Sequence, residues 1–99
     1  MDLKDFKGTK GKWFVEQNKE FPSLHHIWSD SESTLVNGTL IARTCYAPLS
    51  EFNAKLIASS PELLEALIEL SNSISNGDKS KLSEWNLKSK QLIFEILNN

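Results

Sequence analysis

Residues 52–70 read FNAKLIASSPELLEALIEL, and how this stretch is parsed decides the fold. Apolar residues recur at helical spacing on both sides of Pro61, yet a proline inside a helix removes a hydrogen bond and clashes with the preceding turn. Two helices meeting at a corner resolve the conflict. Ser60-Pro61-Glu62 then reads as a helix start, with serine as N-cap, proline at the first helical position, and glutamate near the positive dipole end. The residue before a proline avoids the helical region, so the first helix is expected to close by about Ser59.

Working outward toward the C-terminus, the second helix is expected over 61–75, with Leu63, Leu67, Leu70 and Ile74 as its main stripe and Leu64 and Ile68 on a shoulder. Asn76-Gly77 supplies a left-handed stop. A third helix over 79–97 places Leu82, Trp85, Leu92, Ile93 and Ile96 on one face, with Ser89 between them. Leu87 and Phe94 are seven apart and fall on nearly the opposite side. The first helix, 50–59, is expected to be capped by Ser50 and to bury Phe52, Leu56 and Ile57.

Upstream of Leu49 the apolar period changes to two. GKWFVEQN sets Trp13 and Val15 on one side and Lys12, Phe14 and Glu16 on the other. A turn around Phe21-Pro22-Ser23 precedes a second strand in LHHIWS, and DSES reads as a loop. Asn37-Gly38 is a tight-turn pair, with a short arm before it at 34–36 and a third strand after it. Residues 1–10 are polar apart from Leu3 and Phe6 and read as a lead-in with at most one short helical turn. The expected fold is α+β: an antiparallel sheet of three strands (about 11–18, 24–29 and 39–46) covered by the C-terminal helices, the long ones being the available cover. It forms a single domain over 1–99, with a β half over 1–48 and a helical half over 49–99.

The composition excludes several classes. Ninety-nine residues with 39% hydrophobic content are enough for one small core. Eleven Lys and Arg against thirteen Asp and Glu give a net charge of −2, with no basic stripe for coating nucleic acid. Cys45 is the only cysteine, so neither an internal disulfide nor a multi-cysteine zinc site is expected, and its ordinary role is a small buried hydrophobe. There is no apolar run of membrane-spanning length. MDLKDFKGTKGK is charged from its second residue, so a cytosolic protein without a leader is expected.

Candidate chemistry is sparse. His25 and His26 are adjacent, and on a strand they point to opposite faces, so they cannot chelate one ion together and no metal is expected. A Cys45–His25 or Cys45–His26 nucleophile pair lacks any recognisable surroundings. Glu62, Glu65 and Glu69 fit a solvated first stretch of helix. Gly8, Gly11, Gly38 and Gly77 match neither a phosphate loop nor a dinucleotide pattern, so no cofactor is expected. No enzyme is expected. A basic and aromatic set, Lys7, Lys10, Lys12 and Arg43 with Phe14, His25 and Trp28, can form an RNA- or nucleotide-binding surface on the less buried side of the sheet. The bland alternative packs Trp13 and Trp28 into the core and leaves the lysines as solubilising charge.

The segment from Asn53 to Leu67 resembles a group of small phage and prophage proteins that share Asn-Ala-(Arg/Lys)-Leu-Ile-Ala-(small)-(small)-Pro-Glu-Leu-Leu-Glu-Ala-Leu. The tryptophan-bearing GKWFV, the Ile-Ala of LIARTCYA and the terminal helix extend the resemblance more weakly. The chain departs from that group in a longer insertion between Ser29 and Thr39 and in a Leu-Ile-Phe-rich end. The resemblance implies phage origin, a small α+β fold and residence in the cytoplasm of an infected bacterial host. It implies no single activity.

Two functions follow as expectations. The first is a non-enzymatic inhibitor that binds a host defence protein or ribonucleoprotein, most concretely a CRISPR nuclease, making it an anti-CRISPR protein. Its partner-binding residues are Trp85, Leu87, Lys88 and Phe94, joined by Lys10, Lys12 and Arg43 where RNA is touched. The alternative is a homo-oligomer that sequesters a nucleotide-derived immune signal. No membrane partner is expected in either. A transcriptional accessory role ranks last, because no basic recognition helix is evident.

Overall fold

The computed structural model describes residues 2–30, 39–44 and 49–98. The chain divides into two compact units, Gly8–Pro61 and Met1–Lys7 with Glu62–Asn99.

The first unit is a sheet with one helix laid on it. Strands β1 (Trp13–Gln17), β2 (His25–Ser29) and β3 (Thr39–Thr44) form an antiparallel sheet in the order β1-β2-β3, followed by α1 (Ser50–Ala58). The alternation that marked these strands has a direct outcome. His25, Ile27 and Ser29 of the central strand are buried, while His26 and Trp28 are half-buried on the other face. The turn between β1 and β2 is tied by Asn18, whose Oδ1 accepts from the Glu20 and Phe21 amides at 2.8 and 2.9 Å. The Asn37-Gly38 turn, the arm at 34–36, most of the DSES loop, and Cys45 and Tyr46, the last two residues of the expected third strand, lie outside the described residues.

The third strand does not simply alternate. Ile27 pairs with Ala42 but Trp28 pairs with Leu40, so Ile41 is the extra residue of a β-bulge. The bulge turns Ile41 and Ala42 both toward the core and sends Leu40 to the opposite face, with Arg43. A strict period of two cannot anticipate this.

The inner face is covered by α1, the shortest of the three helices. Ser50, Ala54 and Ala58 lie four apart and are buried, and Ile27, Ala54 and Ala58 form the core with Trp13, Ile41, Ala42 and Ile57 packed around it. Phe52 and Leu56, expected inside, are exposed. The reason is steric: small residues in contact let a helix approach a sheet closely, so the bulky side chains of α1 turn outward. Full burial of the Ile27 side chain stabilises this unit by roughly 1.5–3 kcal/mol.

The two expected serine caps are corrected. Leu49 occupies the N-cap position of α1 without a side-chain cap, and Ser50 instead turns its hydroxyl into the core. Ser60 is already helical, and its hydroxyl donates back to the Leu56 carbonyl at 3.3 Å, as Ser59 does to Lys55 at 2.8 Å. The serine hydroxyls at this junction thus add a second donor to the Lys55 and Leu56 carbonyls, which already accept from the Ser59 amide at 3.0 and 3.2 Å. They do not cap amides at the start of the next helix.

The second unit contains a 3-10 turn at Leu3–Asp5, closed by a capping box between Asp2 and Asp5, and the helices α2 (Ser60–Ser75) and α3 (Lys79–Leu97). Gly77, at φ +65°, ends α2 in a Schellman arrangement, with Gly77 N–H to Ile74 O at 3.2 Å and Asp78 N–H to Ser73 O at 3.0 Å. Asp78 then serves as the N-cap of α3, accepting from the Lys81 amide at 3.0 Å. One residue closes one helix and opens the next, so α2 and α3 form a tight hairpin.

Packing within the hairpin differs from expectation. Ala66 and Ser73 are the buried residues of α2, while Leu67 and Ile74 of the expected stripe are two-thirds exposed. On α3 the half-buried residues Leu82, Trp85, Ser89, Leu92 and Ile96 follow a 3-4 spacing, and Ile93 falls outside it, 48% exposed. No residue of α3 is buried.

Candidate functional site

The register places six side chains on the outer face of the sheet in two rows across its three strands. Phe14, Trp28 and Leu40 are opposite one another in the first row, and Glu16, His26 and Arg43 in the second. Phe14 is 42% and Leu40 45% exposed, so the apolar row is open to solvent at both ends. The His26 and Trp28 rings stand 6.1 Å apart at 37°, joining the rows. Trp28 Nε1 is shielded from solvent and has no acceptor among the described residues, and the same holds for Trp13 Nε1.

The expected RNA- or nucleotide-binding residues are therefore partly assembled. Phe14 and Arg43 share this face, and Trp28 joins them. His25 does not. It lies on the buried face with Ile27, because the residue that supplies the core sets the parity of the whole strand, and His26 takes the outer position. Lys10 and Lys12 are exposed and serve the fold through their backbone: the Lys10 carbonyl accepts from Ser29 Oγ at 2.7 Å, and Lys12 exchanges bonds of 2.7 and 3.0 Å with Asp30. Lys7 belongs to the other unit. Glu16, His26 and Leu40 were missed. The parity of the first two follows once Ile27 is known to be inside, whereas Leu40 depends on the bulge.

On the inner face a buried polar cluster ties β2, β3 and α1 together. His25 Nδ1 is 2.8 Å from Ser50 Oγ, Ser50 Oγ is 2.7 Å from Thr44 Oγ1, and the two hydroxyls reach each other's backbone carbonyls at 2.9 Å. The proton count closes when Ser50 donates to the Thr44 carbonyl, Thr44 donates to Ser50, and His25 Nδ1–H donates to Ser50 Oγ. In that arrangement the histidine is a donor to the hydroxyl and does not act as a base toward it. With Ser50 1% and His25 6% exposed, the cluster is a structural lock between strands and helix. The Cys45–histidine pair lies outside the described residues, and among those described no group of three or more His, Cys, Asp or Glu is placed to hold a metal ion.

The expected partner-binding residues fall on two sides of α3. Trp85 and Lys88 line an open cleft of about 240 Å³ with Glu62, Glu65, Ala66 and Leu92. Lys88 Nζ sits 4.4 Å over the Trp85 ring and 2.9 Å from Glu84 Oε1. Leu87 and Phe94 lie on the outer side, 59% and 65% exposed, near Leu97 at 75%. That outer face carries Lys90, Gln91 and Glu95 around Phe94.

Among the described residues no helix is long and apolar enough to cross a membrane. No curated protein and no solved structure is significantly similar to the chain. The model of one protein family, however, matches residues 1–94. The chain thus belongs to the phage protein family described as Salmonella phage P22 protein Y8K6.

Proposed function

We propose that this phage-family protein is a non-catalytic inhibitor that binds a host immune effector, most concretely a CRISPR nuclease, through the outer face of α3. The observation that carries the reading is the line of Leu87, Phe94 and Leu97, each more than half exposed on a helix whose inner seam already faces α2. Isolated exposed apolar residues are ordinary, but a stripe repeated along several turns of one helix, with Lys90 and Glu95 beside it, has the make-up of an interface core and rim. Aromatic and aliphatic anchors of this kind carry most of the energy in helix-mediated contacts. Blocking a large effector by adhesion needs such anchors and no bond-making step.

The test uses a purified CRISPR nuclease from the phage's host. Target-DNA cleavage is followed with increasing wild-type protein and with Leu87→Asp and Phe94→Asp, each checked for helix content by circular dichroism. Inhibition that saturates at a fixed stoichiometry and is lost in both folded variants is the expected result. Cleavage that proceeds unchanged at excess protein, or inhibition that survives both substitutions, overturns the reading.

A further inference from the structure

We infer that the outer face of the sheet is a nucleotide-binding site, with the base stacked on the Phe14–Trp28 platform and the phosphate held at Arg43. Phe14 and Trp28 are directly paired across β1 and β2, and Leu40 continues the row on β3. Three strands span about 10 Å at their usual spacing, enough to seat one base and not a helix or a hairpin. Aromatic faces on a small sheet are a recurrent stacking surface for unpaired bases, because every base offers a π-face.

The second row supplies what a nucleotide needs beyond stacking. Arg43 presents a guanidinium whose fork geometry suits phosphate oxygens, and Glu16, on the opposite strand, presents a carboxylate that suits exocyclic amines and ring N–H groups. His26 stands between them against the Trp28 ring. The charges thus complement the two ends of one nucleotide, an anion at one side and a hydrogen-bond donor edge at the other. An apolar protein surface would leave both Glu16 and Arg43 to be desolvated without reward.

The β-bulge belongs to this site. It brings Leu40 onto the same face as Arg43, which unbroken alternation would forbid. With Arg43 as the one cation among the six residues and a chain net charge of −2, the site suits a single nucleotide better than a long polyanion. That nucleotide is either free or an unstacked residue of a single strand.

The experiment is an amide-shift titration of the isotope-labelled protein with adenosine, adenosine 5′-monophosphate, guanosine 5′-monophosphate and a short single-stranded oligonucleotide, at two salt concentrations. Shifts confined to Phe14, Glu16, His26, Trp28, Leu40, Arg43 and their neighbours are expected. Phe14→Ala, an exposed position that spares the core, weakens binding about tenfold. Arg43→Gln lowers affinity for the monophosphates to that for adenosine. Equal affinity for monophosphate and oligonucleotide identifies a free nucleotide as the ligand, while tighter, salt-sensitive oligonucleotide binding identifies a strand; either supports the site. No shift with any of the four probes, shifts located elsewhere, or affinities unaltered in both variants overturn it.

Discussion

The sheet unit and the helical hairpin are held together in different ways. In the sheet unit, Ile27 is wholly buried, small residues of α1 close over it, and a hydroxyl–imidazole cluster joins three elements at their ends. In the hairpin the order is local: a Schellman turn, a shared Asp78 cap and backbone helix bonds, with Ala66 and Ser73 as the buried residues and large apolar side chains turned outward. Both units expose large apolar side chains, Phe21, Phe52 and Leu56 in the first and Leu67, Phe94 and Leu97 in the second. The difference therefore lies in the interior: a fully buried Ile27 and a polar cluster in one, local turn and cap signals in the other.

The contrast can be broken most directly by paired truncations. Ile27→Ala is expected to cost about 2–5 kcal/mol, the range for deleting a fully buried branched side chain. Leu67→Ala, two-thirds exposed on α2, is expected to cost within about 0.5 kcal/mol. Urea unfolding followed by tryptophan fluorescence measures both, and equal losses would remove the distinction between the units.

Ser50→Ala sharpens the account of the sheet unit. It strands His25 Nδ1 and one Thr44 partner in the interior, so a loss of about 1–3 kcal/mol is expected. Combined with Thr44→Val the loss is less than additive, because the two hydroxyls belong to one cluster. Additive losses in a double-mutant cycle would mean that the cluster is not a unit.

Gly77→Ala tests the local signals of the hairpin. A Cβ at this position meets nothing within 4 Å, so the expected cost of about 1 kcal/mol comes from the left-handed backbone alone. Asp78→Ala is expected to cost about as much, by removing the cap of α3. Thermal melts read by circular dichroism register both as loss of helical signal. Smallest of all is the stability effect of Leu87→Ser or Phe94→Ser, within about 0.5 kcal/mol each, while the inhibition proposed for α3 is lost. A large destabilisation here would show that these side chains are part of the hairpin's own support.

Much of this was legible in the residues. The switch of apolar period near Leu49, the break at Ser59–Pro61 and the Asn76-Gly77-Asp78 stop lead to strands and helices whose observed bounds differ from expectation by a residue or two. The resemblance implied phage origin, and the model of a phage protein family matches residues 1–94. Faces were less legible than elements. Leu63, Leu67, Leu70 and Ile74 look like a core stripe because they are large apolar residues at helical spacing. Yet Leu67 and Ile74 are exposed, Leu63 and Leu70 are half-buried, and the buried residues of α2 are Ala66 and Ser73. The outer face of the sheet was half anticipated: Phe14, Trp28 and Arg43 were named, His25 was chosen over His26, and Leu40 could not be placed before the bulge was known.

The division has a physical cause. Backbone preference, proline and glycine geometry, and helix capping act within a few residues, so the order and extent of the elements were determined by the chain's own local chemistry. Which side of each element is inside depends on how closely another element can approach, and small residues such as Ala54, Ala58 and Ala66 win that competition because they permit contact where leucine or phenylalanine would hold the backbones apart. The parity of β2, the bulge in β3 and the exposure of the large side chains were decided by packing in three dimensions. Every proposed binding residue owes its availability to that decision.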